Sequence, residues 1–120
     1  MLSTEHRIIL GNSQQMPELP DSTVHLMVTS PPYPMIKMWD TLFARMDPKI
    51  AKLWRELKAD CREETVMQIY EAMHESLAKV WRETYRVLVD GGMACINVGD
   101  ATRTINGKFR LFPNHSKIIE

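Results

Sequence analysis

Val24-His25-Leu26-Met27-Val28-Thr29-Ser30-Pro31-Pro32-Tyr33-Pro34 is the stretch that decides the fold. Its first five residues form an apolar, partly β-branched run that reads as a strand. The prolines at 31, 32 and 34 then end it, because proline has no N–H to donate and holds φ at about −65°, so neither a central strand nor a helix continues through them. A rigid loop therefore leaves the strand's carboxyl end. In open α/β sheets, ligands bind beyond those ends.

Upstream, Arg7-Ile8-Ile9-Leu10 closed by Gly11-Asn12 reads as another strand ending in a turn, and Ser13 to Leu19 as a single helical turn. Downstream, Asp47-Pro48 opens an amphipathic helix carrying Ile50, Leu53, Trp54 and Leu57 on one face. A longer helix starts at the acidic Glu63-Glu64-Thr65 and runs through Val66, Ile69, Tyr70, Met73, Leu77, Val80, Trp81 and Leu88. Asp90-Gly91-Gly92 is its expected stop, and Met93 to Val98 reads as a third, buried strand ending at Gly99-Asp100. Strand, helix, strand spells a right-handed crossover. The expected class is α/β, with about three strands and flanking helices in one open sheet. Ala101 to Pro113 reads as an exposed basic loop around the turn Asn106-Gly107, and Asn114 as the cap of a last short helix reaching Ile119. The three strand ends, at Gly11-Asn12, Ser30 to Tyr33 and Gly99-Asp100, are expected to converge on one crevice.

Composition bounds the rest. A chain of 120 residues with 44% hydrophobic content builds one core at most, so residues 1–120 are read as a single domain. Fifteen Lys plus Arg balance fifteen Asp plus Glu, which excludes a global positive field and leaves only local contacts for a nucleic acid. Cys61 and Cys95 have no metal-ligand spacing and suit two free thiols in a reduced, cytoplasmic setting. Met1 to His6 contains no apolar leader core, and no window approaches the roughly 18 apolar residues of a membrane span. No metal site is expected. His25, within an apolar strand, reads as a packed or edge histidine, and Gly91 and Gly92 as backbone requirements.

The run Ile9-Leu10-Gly11-Asn12-Ser13, then Leu19-Pro20-Asp21-Ser22-Thr23-Val24-His25-Leu26-Met27-Val28-Thr29-Ser30-Pro31-Pro32-Tyr33, resembles the start of the amino-methyltransferases of restriction-modification systems. The likeness is to the subgroup whose catalytic motif precedes the cofactor-binding glycine motif. Leu88-Val89-Asp90-Gly91-Gly92 and Ile96-Asn97-Val98-Gly99-Asp100 resemble that family more loosely. The resemblance implies part of a Rossmann-like methyltransferase sheet, double-stranded DNA as substrate and S-adenosylmethionine as donor. The acceptor it implies is an exocyclic amine on a flipped base.

The chemistry gives each residue a task. An exocyclic amine is a poor nucleophile because its lone pair is delocalised into the ring, so acceptors aimed at both N–H groups favour the pyramidal form. Ser30 Oγ and the Pro31 carbonyl supply those acceptors, with Pro32 holding the carbonyl in place, and Tyr33 stacks on the extruded base. Serine at the first position points to cytosine N4 within the family, where aspartate points to adenine N6; RNA or a protein amide is the other acceptor class. Ser30 also borders the cofactor. Asn12 reads either as a polar neighbour of the cofactor or as a turn residue. Asp100 reads either as a crevice residue or as an ordinary cap. Lys37 and Trp39 follow the loop as candidate DNA contacts, although Trp39 equally reads as an anchor of the loop to the core. Arg103, Lys108 and Arg110 form the one basic cluster suited to phosphates.

The family's methionine-binding glycine motif has no match in the sequence. The chain is therefore expected to be a fragment, or one whose missing half, with the target-recognition region, a second polypeptide supplies. Alone it is expected to bind S-adenosylmethionine weakly. Two other readings stay open: a proline-motif interaction module, since Pro31 to Pro34 fits a P-x-x-P ligand, and an inactive remnant.

Overall fold

A computed structural model describes all 120 residues. Strand β1 is Val24–Thr29, followed after the proline loop by a 3-10 turn at Lys37–Trp39 and helices α1 (Asp40–Met46), α2 (Pro48–Ala59) and α3 (Glu63–Val87). The chain then passes directly from α3 into β2 (Leu88–Ile96), makes the strands β3 (Ala101–Ile105) and β4 (Lys108–Phe112), and ends in α4 (Asn114–Ile119).

The helices start where the sequence places the chemistry for it. The Asp47 side chain accepts the Lys49 N–H at 2.9 Å with Pro48 in the first turn, and Glu63 and Glu64 occupy the positive end of α3. Ile50, Leu53 and Leu57 of α2 meet Val66, Ile69, Tyr70, Met73 and Leu77 of α3 in one core, which Phe43 of α1, Met35, Ala101 and Phe112 complete. No helix is long and apolar enough to cross a membrane. Both cysteines are free thiols, as the sequence suggests.

β1 and β2 pair in parallel, from Val24↔Leu88 through Leu26↔Met93 to Thr29↔Ile96, with α3 as the crossover between them. The register shifts between Val24 and Leu26. In the corresponding part of β2, Gly91 has φ +78° and a β-carbon on Gly92 would lie 2.9 Å from the Val89 carbonyl oxygen. These glycines therefore sit inside the strand as a bulge rather than stopping the helix before it.

The remaining expectations are corrected. Arg7 to Leu10 forms no strand: a strand needs a neighbour for its N–H and C=O groups, β1 pairs only with β2, and residues 7–10 are exposed. The sheet has two parallel strands, not three. Ser13 to Leu19 makes turns rather than helix, held by Gln15 N–H to Asn12 O and Leu19 N–H to Met16 O, each 3.1 Å. Residues 101–113 are not a basic loop but an antiparallel hairpin, with Ala101↔Phe112 to Ile105↔Lys108 paired across Asn106-Gly107, both at positive φ. Helix α1 was not expected at all, and Asn114 is a fully buried residue rather than the cap of α4.

Candidate active site

Ser30 continues β1 at its carboxyl end, where the Asn97 N–H still donates to Thr29 O at 2.9 Å and ties the ends of the two strands together. Ser30 is exposed, whereas Pro31 and Pro34 are buried and hold the loop from below. Tyr33 folds back so that its hydroxyl and Ser30 Oγ share a hydrogen bond of 3.2 Å. Its ring rests on Gly99: a β-carbon there would come within 3.3 Å of Tyr33 Cε2, so a larger residue would push the ring away by a few tenths of an ångström. Gly99 was noted in the sequence only as part of a turn. A bare glycine after a strand does not reveal what packs on it.

The backbone turns sharply after Pro34. Met35 has φ +66°, a left-handed conformation rare for a long side chain, and is 1% exposed. Such a conformation costs on the order of 1–3 kcal/mol and persists where surroundings over-determine it. Here the Met35 N–H points to Met73 Sδ at 3.4 Å and its carbonyl faces Arg103 Nη1 at 3.4 Å.

Arg103 is more a brace than a surface cation. Its guanidinium makes a two-pronged pair with Asp40, at 2.8 and 2.7 Å, and lies 4.8 Å above the Trp54 ring. Arg110 and Lys108 both bind Glu63, at 2.6 and 3.1 Å, and hold its carboxyl at about 2, Arg110 having the larger effect. β3 and β4 thus turn Arg103 and Arg110 onto the acidic residues of α1 and α3, whereas Lys108 stays exposed beside Glu63. Lys37 is exposed and in no ion pair. Trp39 is half-buried against the core, in the anchoring position.

Asn12 and Ser30 do come together. With Ser13, Pro31, Leu77 and Trp81 they line a cleft of about 560 Å³, so two of the three expected ends share one hollow and the third, at Gly99, meets Tyr33 beside it. The Asn12 side chain bonds the Gln14 N–H and side chain, which shapes the turn. That turn is tied to α3 by Arg86, which donates to the carbonyls of Met16 and Leu19 and to Glu83, and by Glu83, which accepts the Met16 N–H at 2.7 Å. These two anchors carry no sequence motif and were missed. Asp100 accepts from the ring Nδ1 and the backbone N–H of His115, at 2.7 and 3.1 Å, which lowers its pKa and ties the turn after β2 to the first turn of α4. His25 is exposed on β1.

A parallel strand pair with its crossover helix, a proline-fixed Ser-Pro-Pro-Tyr loop at the carboxyl end and a cleft beside it make the ligand-binding end of an open α/β sheet. The DNA methylase family profile, of the N6/N4 type, matches residues 24–119, and the chain belongs to that family. It is 58% identical over 123 residues to the Type II methyltransferase M.MjaI of Methanocaldococcus jannaschii, covering 99% of this chain and 41% of that protein. With the Type II methyltransferase M.MthZI of Methanothermobacter thermautotrophicus it shares 49% identity over 119 residues, 99% of this chain and 32% of that one. A crystal structure from Thermus thermophilus, assigned as a DNA modification methylase, superposes with a TM-score of 0.65 at 30% identity, covering 96% of this chain and 38% of the other. The chain thus spans well under half the length of the proteins it matches.

The cleft accepts such an enzyme's methyl donor only in part. Its lining holds the amide of Asn12, the hydroxyls of Ser13 and Ser30 and the apolar surfaces of Leu77, Val80 and Trp81, but no charged side chain. That set fits an uncharged ring system. It offers hydrogen bonds but no charged partner to the ammonium, carboxylate and sulfonium groups of S-adenosylmethionine.

Proposed function

We propose that this chain is the amine-holding part of a site-specific DNA methyltransferase that methylates the exocyclic amine of a flipped base, with cytosine N4 as the acceptor. The observation that carries the reading is the Ser30–Tyr33 loop, fixed by buried prolines at the end of β1 with its aromatic ring seated on Gly99. S-Adenosylmethionine, when bound, supplies an electrophilic methyl group. Asn12 and Ser30, which face the cleft, are the residues of this chain that would border it.

Ser30 Oγ accepts one N–H of the amine and the Pro31 carbonyl the other, which draws the nitrogen lone pair out of conjugation. Tyr33 stacks on the extruded base and replaces part of the stacking lost on flipping. After attack the cationic nitrogen gives one proton to solvent water at the exposed loop, so no strong base is required. Serine in place of aspartate at position 30 supports the preference for cytosine. Lys37, free of ion pairs and close to the loop, is the cation we assign to the DNA backbone, while Arg103 and Arg110 support the hairpin.

Labelled S-adenosylmethionine and mixed-sequence duplex DNA test the reading, with this chain and with the longest polypeptide that contains it. N4-methylcytosine among the product nucleosides is the expected result. N6-methyladenine overturns the acceptor, and no methylated base from either polypeptide overturns the function.

A further inference from the structure

Asn114 is fully buried, and every hydrogen-bonding group of its side chain has a partner. Its Nδ2 donates to the carbonyls of Pro34 and Gly99, both at 3.0 Å, and its Oδ1 faces His74 Nε2 at 3.0 Å. Carbonyls only accept, so the amide nitrogen must face them and the amide oxygen must accept from an Nε2–H on His74. His74 is buried as well, and its ring meets the edge of Tyr70 at 4.7 Å, which fixes its orientation within α3.

The two carbonyls belong to opposite sides of the candidate site. Pro34 closes the Ser30–Pro34 loop, and Gly99 is the floor on which the Tyr33 ring rests. We infer that Asn114 is a positioning residue, which fixes the distance between the amine-holding loop and the turn beneath Tyr33. The inference rests on the reading of Ser30–Tyr33 given above. A primary amide suits the task because it offers two donors and one acceptor in one plane. Leucine has the size without the donors, and serine has only one donor.

A nuclear magnetic resonance experiment on this chain tests the geometry without any catalysis. Tyr33 Cε2 and Cδ2 lie 3.3 and 3.6 Å from the position of a Gly99 β-carbon, so one Gly99 Hα faces the ring and the two Hα resonances should be well separated. Tyr33→Ala should abolish the separation, and its survival there would show that the ring does not sit on Gly99. Asn114→Leu should reduce it by more than half, whereas Ile50→Val, in the same core but on helix α2, should preserve it. Retention in Asn114→Leu, or equal loss in Ile50→Val, overturns the positioning role. If Asn114→Leu does not fold, Asn114→Ser carries the same test.

In the longest polypeptide that contains this chain, Asn114→Ser should lower kcat on the order of ten- to a hundredfold, as small misplacements of reacting groups do, with KM for DNA nearly unchanged. An equal change in KM would also overturn the role. A polypeptide that transfers no methyl group refutes the proposed function and leaves the Gly99 result standing.

Discussion

Replacing Tyr33 by phenylalanine and by alanine removes two different interactions, and the ratio of the losses tests whether the ring stacks on a base. Tyr33→Phe keeps the ring on Gly99 and deletes the 3.2 Å hydrogen bond with Ser30 Oγ. A neutral hydrogen bond contributes about 0.5–1.5 kcal/mol. At about 1.36 kcal/mol per factor of ten, the loss in kcat/KM is about 2- to 13-fold. Tyr33→Ala deletes the ring as well. Stacking of a base on an aromatic side chain contributes about 1–3 kcal/mol, so alanine should be about 5- to 160-fold worse than phenylalanine. The assay is single-turnover transfer from labelled S-adenosylmethionine to duplex DNA, in the longest polypeptide that carries this chain. Emission from 2-aminopurine at the target position reports base extrusion in parallel, and it should fall in the alanine variant only. Phenylalanine and alanine variants within about twofold of each other, well below that expected ratio, would refute the stacking argument.

Ser30→Ala should lower kcat while DNA affinity, read by fluorescence anisotropy, stays close to that of the parent; matched losses in both would refute its role as an amine acceptor. Gly92→Ala places a β-carbon 2.9 Å from the Val89 carbonyl and 3.3 Å from that of His25, so strand β2 or β1 must shift. Overpacking of this kind costs about 1–3 kcal/mol, which urea unfolding should show as a lower midpoint at unchanged slope. Glu63 is held at about 2 by Arg110 and then Lys108, and Glu83 at about 2 by Arg86 and then the Met16 N–H, both below the ordinary 4.5. Their stabilisation is complete above about 4.5 and is lost as pH falls towards 2. Burial lowers the pKa of His74 below 6.5, so the unfolded chain takes up that proton first and stability also declines as pH drops below 6.5. Melting temperatures that stay level from pH 7 to 3 would contradict both statements.

The parts of the fold legible in the sequence are those set by local rules. Apolar spacing gave α2 and α3 within a residue or two, proline placed the loop after β1, and the capping chemistry of Asp47-Pro48 located the start of α2. Arg7-Ile8-Ile9-Leu10 shows the opposite case. β-branched residues fit a strand, but a strand exists only where another backbone pairs with it, and no local pattern contains that condition. Gly91-Gly92 misled because glycine serves a helix end and a strand bulge alike. Asn106-Gly107 was read correctly as a turn and wrongly as part of a loop, since the alternation in Ala101–Ile105 and Lys108–Phe112 is obscured by arginines that point inward to Asp40 and Glu63. An arginine's partner lies far away in sequence, so its burial is invisible to periodicity.

The same distinction explains where the rigidity of the site comes from. The two-stranded sheet cannot hold the loop by itself, for Leu26, Val28 and Met93 remain 51%, 72% and 63% exposed on it. The loop is fixed from the other direction, by the helical core. Pro34 and Met35 are buried in that core, Met35 is held in its strained conformation by Met73 and Arg103, and Arg103 is in turn locked to Asp40. Asn114 adds the link to Gly99. Each of these braces joins residues 38 or more positions apart except the last, which spans 15. A motif of four residues therefore carries the family resemblance, while its geometry depends on contacts that only the folded chain assembles. Substitutions at Met35, Arg103 or Asn114 should accordingly disturb the site as surely as changes within Ser30 to Tyr33, although none of the three lies in the motif.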